Sequence, residues 1–296
     1  MSQKLTPSLW FDHSARKAVD FYVSVFPDAE VTTVARYPSE GLADFQKDFA
    51  GQELEIQFRL GNQDFSAINA GPEFTINPSI SVLLNFDPDA DEHARQHLDE
   101  LWAGLGAGGE VLMALDEYDF SPRYGWLRDR YGMTWQFFLG APGRPQRPFV
   151  TPSLMFPHDA ARAHRAIELY TSLFDDSGAG RAVPYPPDAG QAPNSLMYAD
   201  FRLAGQWFSA MDSGEPQDFT FNEGVSLIVQ CADQAEIDRL WAVLSTVPEA
   251  EQCGWCRDQF GVSWQIVPRD LDELMTHPGA FQAMMSMHKL VIADFG

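Results

Sequence analysis

Cysteine is scarce in this chain. It has three in 296 residues, too few and too clustered for a disulfide framework. Basic residues are scarce as well: Lys and Arg number 20 against 42 Asp and Glu, a formal net charge of −22 at pH 7. No basic run interrupts that field, which repels phosphates and anionic lipid surfaces, so neither nucleic acid nor membrane is expected as a partner. Long apolar stretches are missing too, none reaching the roughly 18 residues of a membrane span. The first residues, Met1 to Thr6, lack a basic region followed by an apolar one, so no signal peptide is expected. Together these absences point to an acidic protein of the cytoplasm. What is present is ordinary globular material, 45% hydrophobic, in a length that suggests two domains at about 150 residues each.

The chain repeats itself. Thr6-Pro-Ser-Leu-Trp-Phe11 returns as Thr151-Pro-Ser-Leu-Met-Phe156, and Phe21-Tyr-Val-Ser-Val-Phe26 returns as Leu169-Tyr-Thr-Ser-Leu-Phe174. Gln63-Asp-Phe-Ser-Ala67 returns as Gln206-Trp-Phe-Ser-Ala210. Gly125-Trp-Leu-Arg-Asp-Arg-Tyr-Gly-Met-Thr-Trp-Gln136 returns as Gly254-Trp-Cys-Arg-Asp-Gln-Phe-Gly-Val-Ser-Trp-Gln265. Four matches in one order define a tandem duplication. The Pro/Gly stretch Gly140-Ala-Pro-Gly-Arg-Pro-Gln-Arg-Pro148 reads as the connection, giving a first domain at 1–140, a linker at 141–149 and a second domain at 150–268. Residues 269–296 form a C-terminal extension in which Asp270 to Met287 has helical spacing, expected to pack its apolar stripe on the second domain.

Within the first copy, alternation predicts strands at 6–11, 29–36, 54–60, 64–69, 79–86, 110–115, 125–130 and 134–139. Helical spacing marks a segment after Ser14, stopped by Pro27, and another over 90–105. The second copy predicts strands near 151–156, 196–203, 206–211, 224–231, 254–258 and 263–267, with helices near 160–174 and 233–245. Each copy is therefore two β-α-β-β-β units, an α+β class of fold.

The doubled unit resembles the vicinal oxygen chelate superfamily of glyoxalase I, bleomycin-resistance and extradiol-dioxygenase proteins. Thr6-Pro-Ser-Leu-Trp-Phe11, Ala18-Val-Asp-Phe-Tyr22, Phe26-Pro-Asp28, Phe65 to Gly71 and Gly254 to Gln265 look like its PhnB-like branch, often labelled 3-demethylubiquinone-9 3-methyltransferase-like. The resemblance implies tandem domains whose units curl into half-barrels, a pair of units enclosing a cup for a small molecule. It also implies metal ligands, two His (or His and Gln) and Glu, on the first strand of each unit and on the last strand. First strands ending at Phe11, Phe86, Phe156 and Cys231 place Thr6 with Ser81 in one copy and Thr151 with Ser226 in the other. The closing motif places Gln136 and Gln265 where metal-binding relatives have Glu. Two hydroxyls and an amide per cup carry no negative charge and suit a divalent cation poorly, so neither metal nor cofactor is expected.

Further cup-lining candidates are Ser8, Trp10, Gln57, Asn69 and the tryptophans Trp126 and Trp135 in the first copy. Ser153, Asp200, Asp212, Trp255 and Trp264 are their counterparts in the second. Aromatic walls with a few amides and hydroxyls suit an apolar or planar ligand, though the same rings also serve simply to fill the half-barrels. Asp129 and Asp258 are polar groups that an enzymatic reading would draw on. Other constellations read as structural. Gly104-Leu-Gly-Ala-Gly-Gly109 follows a helix, whereas a nucleotide loop follows a strand. Cys253-Gly-Trp-Cys256 enters a strand and lacks the helix N-terminus that activates a redox pair. His93 and His97 sit among acidic residues on a solvated helix face, and no role falls to His13 or His158. Two functions stay open: a metal-independent binding protein, or an enzyme of the superfamily with its site in one cup. A tandem whose copies pair internally needs no second chain.

Overall fold

Along β1 (Leu5–Phe11) Leu5, Leu9 and Phe11 point to one face and Thr6, Ser8 and Trp10 to the other, and this alternation organises the protein. A computed structural model describes residues 3–157 and 161–296, so His158 lies outside the described residues. The first unit continues with α1 (Ala15–Val25), β2 (Ala29–Arg36), β3 (Glu53–Leu60) and β4 (Gln63–Asn69). The second comprises β5 (Ile80–Phe86), α2 (Ala94–Gly106), β6 (Glu110–Tyr118), β7 (Ser121–Arg128) and β8 (Thr134–Leu139). The third comprises β9 (Val150–Phe156), α3 (Arg162–Leu173), β10 (Gly178–Pro184), β11 (Leu196–Leu203) and β12 (Gln206–Asp212). The fourth has β13 (Val225–Cys231), α4 (Gln234–Leu244), β14 (Trp255–Arg257) and β15 (Ser263–Pro268), followed by α5 (Leu271–Leu274) and α6 (Ala280–Ser286). Strand β10 carried no clear alternation in the sequence, because its Gly-Ala-Gly-Arg-Ala run has few side chains to bury.

The strands form two sheets, and each sheet draws on both copies. The first runs β14-β15-β13-β1-β4-β3-β2 and the second β10-β11-β12-β9-β5-β8-β7-β6. The seams are antiparallel: β1 pairs with β13, placing Ser8 opposite Ser226, and β5 pairs with β9, placing Ser81 opposite Ser153. The copies thus exchange units across the two sheets.

The helices pack on the inner faces and knit the sheets into one core. Tyr22 of α1 stacks edge-on against Trp135 of β8, in the other sheet, with ring centroids 5.4 Å apart. Tyr170 of α3 meets Trp264 of β15 in the same way at 5.1 Å. Both tryptophans are at most 1% exposed.

The fourth unit departs from the others: where they have an outer strand (β2, β6 or β10) after the helix, it has a 3-10 turn at Pro248–Ala250. The C-terminal extension fills that place, with Cys253 and Gly254 donating backbone hydrogen bonds to Met287 and His288. The extension is two short helices, interrupted at His277-Pro278-Gly279, and it packs on both copies where packing on the second alone was expected. Leu271, Leu274 and Met284 join Ile228 and Val267, while Phe281 joins Tyr37 and Phe49 of the first copy.

Candidate functional site

The sheet faces turned away from the helices are the candidate sites, and the strand registers fix what each carries. In the first sheet Ser8 pairs with both Ser226 and Ser66, Gln57 with Ser66, Ile228 with Thr6 and Gln265, and Trp255 with Gln265. Thr6, Ser8, Trp10, Gln57, Ser226, Trp255 and Gln265 therefore share one outer face. In the second sheet Ser153 pairs with Ser81 and Ser209, Asp200 with Ser209, Leu83 with Thr151 and Gln136, and Trp126 with Gln136. Ser81, Trp126, Gln136, Thr151, Ser153 and Asp200 share its outer face.

The grouping expected from the repeats is thereby corrected. Thr6 is not in one cup with Ser81 and Gln136: it belongs with Ser226 and Gln265, and Thr151 belongs with Ser81 and Gln136, because the seams cross between copies. Four other candidates stand on the opposite face. Trp135 and Trp264 are one residue from Gln136 and Gln265, so the pleat turns them inward, where their indole N–H groups donate to Asp129 and Asp258 at 2.8 and 2.9 Å. Asn69 and Asp212 turn inward as well and cap helices: Asn69 Oδ1 accepts from Ala15 N at 3.0 Å, and Asp212 Oδ1 from Ala163 N at 3.0 Å. Asp129 and Asp258 are buried turn clamps. Oδ1 of Asp129 accepts from the N–H of Tyr131 and Met133, and that of Asp258 from Phe260 and Val262. Burial pushes both carboxyls up, against the pull of those hydrogen bonds.

The face of the first sheet pairs part of its polar groups, while Arg257, bonded to Glu223, keeps a buried Nε and Glu223 a buried Oε2 with no partner among the described residues. Gln265 Nε2 donates to Ser226 Oγ at 2.9 Å, and Ser8 Oγ meets Ser66 Oγ at 3.4 Å. Ser66 Oγ donates in turn to Glu55 Oε1 at 2.6 Å. Burial raises the Glu55 carboxyl, opposed by the Ser66 hydrogen bond and reinforced by Asp272 of α5. Trp10 is held by Gly71 O at 2.7 Å and lies edge-on to Trp255 at 5.8 Å. The C-terminal extension covers this face, since Ile228 and Val267 share it with Gln265.

The face of the second sheet differs. Gln136 Nε2 donates to Ser81 Oγ at 2.7 Å and Ser153 Oγ at 3.4 Å, and its Oε1 accepts from Tyr124 OH at 2.9 Å. Among the described residues, Ser209 Oγ, Thr134 Oγ1, Trp126 Nε1 and Arg128 Nε are buried there with no hydrogen-bond partner. The linker crosses the mouth: Arg147 bonds Asp200 Oδ2 at 3.0 Å and lies 4.0 Å over the Trp207 ring. Asp200 reaches this position only because residue 180 is glycine, where a Cβ would stand 2.0 Å from Asp200 Oδ1. Ser66 and Ser209, which the sequence reading missed, occupy the same position in the repeated Gln-x-Phe-Ser-Ala motif. Their repetition, on the strand next to the first one, was the available signal.

The residues on these faces do not fit a divalent cation. Hydroxyls and amides dominate both, and among the described residues no group of three or more His, Cys, Asp or Glu is placed to hold a metal ion. The cysteines offer no activated thiol either: burial raises all three, Cys231 to about 12.

This architecture is the vicinal oxygen chelate fold. Glyoxalase I from Zea mays shares it over 92% of this chain and 95% of its own, at TM-score 0.53 and 10% identity. The sequence profile of the family described as 3-demethylubiquinone-9 3-methyltransferase matches twice, over residues 3–138 and 148–267, and the chain belongs to that family, the PhnB-like branch of the superfamily. A PhnB protein from Bacillus cereus, bearing the same methyltransferase description, is 31% identical over 47% of this chain and all of its own, at TM-score 0.40. No curated protein matches the chain. Among the described residues, no helix is long and apolar enough to cross a membrane.

Proposed function

We propose that the protein binds a small organic molecule at the outer face of the second sheet, without a metal ion, in the sequestering manner of bleomycin-resistance proteins. The observation that carries this reading is the set of unpartnered buried polar atoms there, Ser209 Oγ, Thr134 Oγ1 and Trp126 Nε1, beside an aromatic wall that includes Tyr124. Buried polar groups are ordinarily paired, and orphans gathered on one sheet face suit a partner that arrives with the ligand. Three unpaired cysteines suit a reducing compartment, so we place this function in the cytoplasm. Methyl transfer, named in the family's description, would need a donor site. The glycine-rich segment Gly104–Gly109 instead leads from α2 into β6, and a Cβ at Gly109 would stand 2.2 Å from Arg128 O, so packing accounts for it.

The test is thermal denaturation of the full chain with Ni²⁺, Zn²⁺, Mn²⁺ or Fe²⁺ and, separately, with a library of planar organic compounds. Micromolar metal is expected to leave Tm unchanged, and some compounds to raise it saturably in the wild type but not in Trp126→Ala. A stoichiometric metal, or no compound that depends on Trp126, overturns the reading. One observation favours a second reading, an enzyme acting at the first sheet: burial raises the Glu55 carboxyl above its usual range on that face. That reading predicts a turnover lost in Glu55→Gln and kept in Trp126→Ala.

A further inference from the structure

Positive charge is rare in this chain, yet three arginines gather at the mouth of the second sheet. Arg144 and Arg147 come from the linker and Arg181 from β10. Arg147 is neutralised by Asp200 at 3.0 Å, whose other oxygen accepts from Arg181 N at 2.7 Å. Neither the Arg144 nor the Arg181 side chain has a carboxylate partner among the described residues. Arg144 lies 4.8 Å over the Phe138 ring, and Phe138 shares the outer face with Gln136 and stands opposite Tyr124. The three guanidiniums feel one another: Arg144 is held below its usual range by burial first and then by Arg181 and Arg147. Tyr198, which faces Val183 of β10 and lies within the field of all three, is pushed up to about 12 by burial and by Asp200.

The orphaned atoms on the same face can all donate. Trp126 Nε1 can only donate, as can Arg128 Nε, also buried and unpartnered on the same face, and the hydroxyls of Ser209 and Thr134 have donors to spare. Free donors on the same sheet face as two unneutralised guanidiniums ask for an acceptor-rich, negatively charged partner. The rings of Phe138 and Trp207 beneath Arg144 and Arg147 ask for a flat apolar body. Resting on the binding function proposed above, we propose that the ligand of the second sheet is an organic anion, a carboxylate on a planar apolar body, clamped between the donor floor and Arg144 and Arg181.

Calorimetric titration of the full chain with 2-naphthoate and with 2-naphthylmethanol separates the charge from the ring. The carboxylate is expected to saturate one site and bind about tenfold more tightly than the alcohol, a preference that shrinks as salt rises. The double variant Arg144→Gln/Arg181→Gln is expected to bind both compounds equally, with unchanged Tm. Equal, saturable binding of both by the wild type overturns the anion inference and leaves the binding site standing. A preference that survives in the double variant overturns the assignment to these arginines. Saturable binding of neither compound removes both the inference and the site beneath it.

Discussion

The two sheets are built from the same repeated units and have been finished in opposite ways. Over the first, the C-terminal extension has become part of the hydrophobic interior: Leu290 is 0% exposed and Phe295 2%. On the polar floor below it Gln265 pairs with Ser226 and Ser66 with Glu55, and two buried atoms, Arg257 Nε and Glu223 Oε2, are left without partners among the described residues. Over the second, only a linker crosses the mouth, contributing arginines and no helix, and the floor keeps donors without partners. A repeated motif therefore specifies a scaffold and its turn clamps, while what lies across each face decides whether that face is filled or left able to receive something.

This contrast is open to direct attack. The largest effect is expected from Leu290→Ala, which should cost about 3 kcal/mol in urea unfolding if the extension is core. Arg144→Gln in the linker should change stability by less than about 0.5 kcal/mol. Comparable losses at the two positions would erase the distinction between lid and strap.

The shared scaffold gives the next test. Asp129→Ala strands an indole N–H and two backbone N–H groups, and should lose about 2–3 kcal/mol; Asp258→Ala strands the same three and the Tyr170 hydroxyl as well, and should lose somewhat more. A clearly larger loss at Asp129 would mean that the repeats do not share the clamp. Smaller effects should separate the floors. Gln136→Leu leaves Tyr124 and two serines without a partner and Gln265→Leu leaves one serine, so the first should be the more destabilising, by about 1 kcal/mol.

The smallest effect concerns pH. The Glu55 carboxyl is raised in the folded protein, so the stability tied to its neutral form is fully present below its unfolded value and is lost as pH rises through the folded one. Glu55→Gln, a mimic of the neutral acid, should match wild type near pH 4 and gain relative Tm as pH rises to 8. A constant offset across that range would contradict the assignment.

Much of this was readable from the chain, and the rest failed for identifiable reasons. The units, their helices and nearly all strands follow from local periodicity, which survives in a single sequence. The pairing of β1 with β13 does not, because nothing local distinguishes it from pairing within one copy, and the repeat alone sets Thr6 beside Ser81 instead of Ser226. The pleat alone forbids Trp135 and Gln136, or Trp264 and Gln265, from sharing a face, and applying it strictly would have moved both tryptophans inward. Asn69 and Asp212 were legible as polar strand ends but not as caps, since the helices they serve start more than 45 residues earlier in sequence. The arginine cluster was invisible because Arg144 and Arg147 read as linker and Arg181 falls in a strand without a pattern.

The seams between copies also bear on how such a chain is made. When the first copy leaves the ribosome, β1 has β4 on one side and β5 has β8, but the partners for their other edges, β13 and β9, are still to be synthesised. Until then two central ladders stand open, rich in Leu, Val and Phe, which is the kind of edge that recruits strands from neighbouring chains. The high density of negative charge carried by the nascent chain is well placed to keep such neighbours apart during that interval.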